Sequence, residues 1–414
     1  MRETGRRGSV AAIVATVVAV TLSACGGSES DNASGGDPIP IGQVGNYSGA
    51  IPGLAGQGYG LQAWVQSVND NGGIEGRQIE LTTGDAKGDP AAEVSQVTQI
   101  ATNEQVVAFA GMGLTTIAGS APFLEQQGIP VIGGNTSDVA WAVNPDLYVP
   151  GAGLLGTYLS GFLTVPEGKE SVGLVYCQES AGCTTVHTLM SDLGLTEANG
   201  GDLVYDAEVS LASPSFTAQC LAAQQAGVQT LAVAFDGTNL LRLAGDCAAQ
   251  GFTPTYVFGG TIATDELAES GLMEGAQSGQ AQAPWFLEDG EVGAHRAAMK
   301  QYFPDQEINS QTVSGWAAGL ALGRALEIAL EDDPGKTLTA ADVRTALGQI
   351  QDETFNGLTP PVSFTDSGVQ EQSNCAFSIV VVDGEWTQNG TDPVCPSDSI
   401  QPDLDAALEE LAQG

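Results

Sequence analysis

Cations are scarce in this 414-residue chain, with 12 Lys and Arg against 50 Asp and Glu and a formal charge of −38. A field of that sign repels nucleic acid and anionic membrane surfaces. It also suits solubility in a salty or acidic exterior. Histidine is nearly absent, at His187 and His295. No Cys-x-x-Cys pair occurs, so a zinc site lacks ligands, and a catalytic thiol lacks partners. Gly-x-Ser-x-Gly, the P-loop and His-Glu-x-x-His are all missing. These absences argue against an enzyme and against any metal or cofactor. Both histidines are expected at the surface, and the pairs Glu409-Glu410 and Asp332-Asp333 read as solvated faces. Aromatic residues are only 6%, yet 42% hydrophobic residues are enough for real cores. Beyond Cys25, no apolar stretch is long enough to span a bilayer.

The N-terminus is the exception. Arg2, Arg6 and Arg7 precede an apolar run from Val10 to Val20, then Leu22-Ser23-Ala24-Cys25. A basic start, a short apolar stretch and small residues describe a secretory signal over 1–24. The Cys after Leu-Ser-Ala resembles a bacterial lipobox. That resemblance implies cleavage before Cys25, lipidation of its sulfur and an extracytoplasmic protein anchored to the cell membrane. Residues 25–37 then form a Gly/Ser/Asn/Asp tether. Six cysteines remain: Cys177, Cys183, Cys220, Cys247, Cys375 and Cys395. An even count outside the cytoplasm argues for disulfides. Pairing in sequence order, Cys177–Cys183, Cys220–Cys247 and Cys375–Cys395, closes the shortest loops and is the expected pattern.

Along the chain, strand patterns alternate with helical ones. Strands are expected at 40–46, 78–83, 106–111 and 130–133, with helices at 59–70, 90–103 and 117–127. Asp89 and Pro90 supply an N-cap and first-turn proline. The alternation then restarts. Strands at 171–176, 202–209, 230–235 and 255–259 enclose helices at 185–193, 215–226 and 238–250. Such βαβ series predict two doubly wound parallel sheets of the α/β class. Helices at 313–331 and 340–350 follow. A hairpin pairs 376–382 with 385–388 across Asp383-Gly384. The end, 403–411, reads as a short amphipathic helix.

Ordered motifs give this pattern a family. Asn71-Gly72-Gly73-Ile74-Glu75-Gly76-Arg77-Gln78-Ile79 resembles the N-x-GGI-x-GR-x-I signature of substrate-binding proteins of the branched-chain amino acid type, which serve ABC importers. Gly84-Asp85 with Asp89-Pro90, Ala121-Pro122, Gly128-Ile129-Pro130-Val131-Ile132, Gly315-Trp316-Ala317-Ala318 and 355–364 (FNGLTPPVSF) resemble further family segments in order. The likeness runs from about residue 39 to about residue 388. It implies a type I periplasmic-binding fold of two lobes joined by a three-stranded hinge. Lobe 1 would comprise 38–150 and 285–357, and lobe 2 would comprise 151–284 and 358–398. Residues 399–414 would be a tail, and the chain would cross between lobes near 148–153, 280–284 and 355–361. The implied function is capture of a small polar solute, such as an amino acid, amide or small carboxylate, for an ABC permease. The implied state is a monomer. A sensory receptor domain of the same fold is the alternative.

Ligands of open α/β sheets bind beyond the carboxyl ends of the strands. Those loops carry Ser48, Leu114, Thr115, Thr116, Asn135, Thr136, Ser137, Ala181, Asp236, Gly237, Thr238 and Thr261. In the family, the 111–116 and 134–137 turns offer backbone N–H groups and hydroxyls to a ligand carboxylate. Helix capping is the competing use of the same hydroxyls. The loop after the second lobe's first strand usually carries an aromatic residue just before a glycine; here the pair is Ala181-Gly182. The acidic residue that meets a ligand ammonium is replaced by Thr261, leaving Asp236 or Asp265 as substitutes. The resemblance therefore implies a carboxylate-binding half and leaves the amine-binding half open. Tyr47, Trp141, Tyr148 and Trp316 are candidates for packing on a ligand or in a core.

Overall fold

The computed structural model describes residues 36–48, 54–397 and 399–413. The leader, Cys25 and nearly all of the tether lie outside the described residues. Among those described are twelve strands in two sheets. The first sheet is all parallel and holds β1 (Ile39–Gly45), β2 (Ile79–Asp85), β3 (Ala108–Met112), β4 (Val131–Gly134) and β5 (Leu147–Tyr148) in the order β2-β1-β3-β4-β5. The second holds β6 (Ser171–Cys177), β7 (Asp202–Val209), β8 (Thr230–Ala234), β9 (Thr255–Gly259), β10 (Gln277–Gln280), β11 (Phe377–Val382) and β12 (Glu385–Gln388), in the order β12-β11-β10-β9-β8-β6-β7. Only β11 is reversed in it, so the β10–β11 and β11–β12 pairings are antiparallel. Each lobe therefore repeats one doubly wound order, with its switch point between β1 and β3 or between β6 and β8.

Local chemistry explains the elements. Asp89 Oδ1 accepts from the N–H groups of Ala91 and Ala92 and starts the Pro90–Asn103 helix. Asp383 and Gly384 both have positive φ, 53° and 78°, as a tight hairpin turn requires. The Ser310–Leu330 helix is long and apolar enough to cross a membrane, but most of it is buried as the core helix of the first lobe. It lies against the Ala55–Asp70 helix, which begins before the expected residue 59.

The lobes meet where three passages of chain converge. Ala152 N–H donates to Ala281 O (2.9 Å), and Gly153 N–H donates to Ser373 O (2.8 Å). The third passage therefore lies around residues 370–376, not at 355–361. Glu353 and Val362 pair as an antiparallel bridge, and Phe355, Asn356 and Gly357 turn at positive φ between them. That segment is a hairpin of the first lobe, and Phe364 then packs edge-on to Tyr148 at 5.5 Å. Lobe 1 consequently extends past residue 357.

One further expectation changes. His295 is fully buried. Its helix, Gly290–Tyr302, is polar on average, but Val292, His295 and Met299 share one buried stripe. The amphipathic helix expected at 403–411 is present and spans Gln401–Gln413. It buries Ile400, Leu404 and Ala407 and packs on both the Ala140–Val143 and the Leu195–Ala198 helices, one from each lobe.

Candidate functional site

Two adjoining cavities open between the lobes beside the hinge. The larger, 140 Å³, is lined by Ser137 from the loop after β4, by Thr157, Tyr158 and Phe162 from the first passage, and by Ser180, Gly182, Val186, Phe235, Thr261 and Ile262 of the second lobe. The smaller, 30 Å³, is lined by Gln57, Thr136, Gln280, Gln282, Ser310 and Gln311 and shares Thr157 and Thr261. Both lie at the carboxyl ends of the strands, where this topology exposes loops. The Ser310 hydroxyl donates to Gly260 O across the cleft at 3.0 Å. The Tyr158 hydroxyl approaches Ser137 O at 3.5 Å, again between lobes. Burial pushes the Tyr158 phenol up, and the nearby Asp138 carboxylate adds to the shift. It stays a neutral donor.

The second-lobe wall is fixed by its own caps and by a disulfide. Three disulfides are present, Cys177–Cys183, Cys220–Cys247 and Cys375–Cys395, with Cα separations of 5.3, 5.0 and 4.0 Å. The first ties the end of β6 to the helix beginning at Ala181, and so holds Ser180 and Gly182 at the cavity. Asp236 caps the Gly237–Ala249 helix, accepting from Asn239 N at 3.0 Å and Asn239 Nδ2 at 2.6 Å.

The expected site residues divide. Thr136, Ser137 and Thr261 line the cleft cavities. Ala181 sits between the lining residues Ser180 and Gly182, and Asp236, Gly237 and Thr238 follow the lining Phe235. Thr115 and Thr116 instead face a separate 20 Å³ cavity beside Glu93. The Thr115 hydroxyl accepts from Asn46 Nδ2 (3.1 Å), its carbonyl accepts from Asn135 Nδ2 (3.1 Å), and the Thr116 hydroxyl accepts from Ala118 N–H (3.1 Å). Leu114 is buried in the apolar cluster behind them. The Ser48 hydroxyl donates to Asp85 Oδ2 at 2.6 Å. Of the four aromatic candidates, Tyr148, Trp141 and Trp316 are core residues, and Tyr47 donates from its hydroxyl to Gln43.

Residue patterns missed Gln57, Gln311, Tyr158 and Phe162. Tyr158 and Phe162 sit in and just beyond Leu154–Ser160, a short helix that carries no start signal. Gln57 and Gln311 lie in the first turns of helices, where the only available signal was position at a strand-to-helix or loop-to-helix junction.

The comparisons with known proteins agree with this geometry. No curated protein matches the chain. Solved structures of the same fold include a branched-chain amino acid ABC transporter protein from Thermus thermophilus with bound valine, at 14% identity and TM-score 0.73, covering 92% of this chain and 100% of that one. A fatty acid ABC transporter substrate-binding protein from Thermomonospora curvata shows 18% identity and TM-score 0.68, covering 90% and 97%. A solute-binding protein from R. palustris in complex with benzoate shows 16% identity and TM-score 0.66, covering 87% and 98%. Over residues 38–385, the sequence matches the family model described as periplasmic binding protein, and the chain belongs to that family.

Proposed function

We propose that the protein is an extracytoplasmic receptor that captures a small solute between its lobes and hands it to an ABC permease. The observation that carries this is the cleft itself. Its walls come from both lobes, and the chain crosses between the lobes in three narrow passages, with a C-terminal helix packed on both. A hinge of that kind permits rigid-body closure, which a permease can read as the loaded state. Similarity to ABC-transporter binding proteins supports the same reading. The leader pattern around Cys25 supports a protein held at the membrane by acyl chains, acting as a monomer on our reading; Cys25→Ser should then release it from the membrane fraction.

The test is closure. With fluorophores on exposed positions Glu125 and Glu197, a solute that raises the melting temperature should also shorten the interlobe distance. It should be taken up by vesicles holding the cognate permease only when the receptor is present. A solute that stabilises the protein without moving the lobes and without uptake would refute the transport role.

A further inference from the structure

We infer that the cleft takes an uncharged solute, one with a short apolar body and an amide head. This rests on the reading of the cleft as a solute site. Among the described residues, tyrosine is the only ionisable type lining either cavity. The segment 49–53, by sequence Gly-Ala-Ile-Pro-Gly, has no ionisable side chain either. A ligand ammonium therefore finds no carboxylate. Three acids adjoin lining residues in sequence: Asp236 is committed to its own helix start, and Glu179 to the Ser210 hydroxyl and Leu211 N–H. Asp138 is likewise committed, to the N–H groups of Ile117 and Ala140.

An anionic head fares no better. Among the described residues no Lys, Arg or His lines the cavities, in a chain of charge −38. Helix N-termini are the usual substitute for a cation. Here the Gly237–Ala249 helix already holds the Asp236 carboxylate, and the Ser310–Leu330 helix holds Asn309 Oδ1, which accepts from Gln311 and Thr312 N–H; the Ala55–Asp70 and Leu154–Ser160 helices start without an N-cap side-chain bond and offer neutral N–H groups with no cation beside them. Burying a bare charge against such a wall is costly.

What the cleft does offer is neutral. Ser137, Ser180 and Thr261 present hydroxyls, while Phe162, Phe235 and Ile262 form an apolar wall. Gln57 and Gln311 line the inner cavity, and each has a buried amide oxygen without a hydrogen-bond partner. Buried acceptors are rarely left so. A ligand N–H or O–H group reaching the inner cavity would satisfy them.

A matched panel tests this on the exported full-length protein. Branched and aromatic skeletons would be compared by calorimetry as amide, carboxylate, amine and α-amino acid: isovaleramide, isovalerate, isoamylamine and leucine, then benzamide, benzoate, benzylamine and phenylalanine. Within the responding skeleton, the amide should bind at least about tenfold tighter than its charged counterparts. Tighter binding by the carboxylate or the amino acid overturns the inference while leaving the receptor reading intact. A panel flat in every column overturns the cleft as a small-solute site, and the inference with it. Gln311→Met separates binding from packing. It should weaken the amide by about tenfold while leaving the unliganded melting temperature unchanged or higher, because an unpartnered buried amide contributes nothing to folding. Unchanged amide affinity in Gln311→Met and Gln57→Met would also overturn it.

Discussion

The first lobe buries Arg77, Glu93, Asp146 and His295, whereas the second buries no Asp, Glu, Lys, Arg or His among its described residues. The disulfides divide the other way. Two lie wholly within the second lobe, and the third ties the last hinge passage to the C-terminal segment. The first lobe is instead assembled by close backbone approach. A Cβ at Gly315 would sit 1.9 Å from Gln57 O, and one at Gly60 would sit 2.0 Å from Thr312 O. So one wall of the cleft is set by two helices in backbone contact, and the other by covalent staples. Gln57 and Gln311 lie at that helix contact, so the inner cavity inherits its rigidity.

The largest effect should come from breaking the helix contact. Gly315→Ala places a methyl group against a backbone carbonyl that no side-chain rotation can move aside. The expected cost is about 3 kcal/mol or more, at the upper end of overpacking effects. Chemical denaturation measures it. A loss below about 1 kcal/mol would mean that the helices part easily and that the first lobe is not held as described.

Removing a staple from the second lobe comes next. Cys220 and Cys247 are both buried and lie 27 residues apart. The double change Cys220→Ala with Cys247→Ala should cost about 2–4 kcal/mol. Amide exchange should localise the damage: protection falls around 217–249, while the first sheet keeps its own. Equal loss in both lobes would show that they fold as one unit and that the contrast in how they are held has no energetic meaning.

The fold behind this contrast is largely legible in the sequence; the contrast itself is less so. The βαβ alternation and the hairpin turn at Asp383-Gly384 were legible because period and turn chemistry are local. Sequential cysteine pairing follows from loop length, a local quantity as well. The helix start at Ala55 was not legible, because Gly56, Gly58 and Gly60 are poor helix formers. Tertiary contact overrides that preference: the glycines are there because Gln311, Tyr47 and Thr312 approach too closely for a side chain. Strand β10, Gln-Ser-Gly-Gln, reads as a polar loop yet lies inside the second sheet, paired on both edges. Family motifs pointed to the cleft-facing loops but not to the particular side chains, since Thr116 and Asp236 satisfy neighbours that pattern alone does not reveal. His295 was misplaced because the mean polarity of its helix hid a three-residue stripe.

The effect that is smallest per unit change in conditions sharpens the comparison through pH. Burial holds the His295 imidazole down to about 3 from 6.5, with Arg296 adding to it. Its ring packs edge-on to Trp316 at 5.8 Å, and neither ring nitrogen has a partner. As pH falls below 6.5, the unfolded chain gains a proton at this site and the folded chain does not, so stability drops until pH nears 3. Glu93 acts in the opposite sense. Burial pushes its carboxyl up to about 7 despite the hydrogen bond from Ser120, and Asp138 adds to the rise. As pH climbs from 4.5 towards 7, the unfolded chain ionises at this site before the folded chain does, and stability again drops. Each site contributes a slope of at most about 1.4 kcal/mol per pH unit. The first lobe should therefore be most stable in mildly acidic solution, between the two limbs. His295→Phe should flatten the acid limb, and Glu93→Gln the neutral one. Because the second lobe buries neither kind of group, exchange protection in β6, β8 and β9 should follow pH far less than protection in β1 and β3. If both sheets respond alike, the buried charges of the first lobe are not what sets the profile.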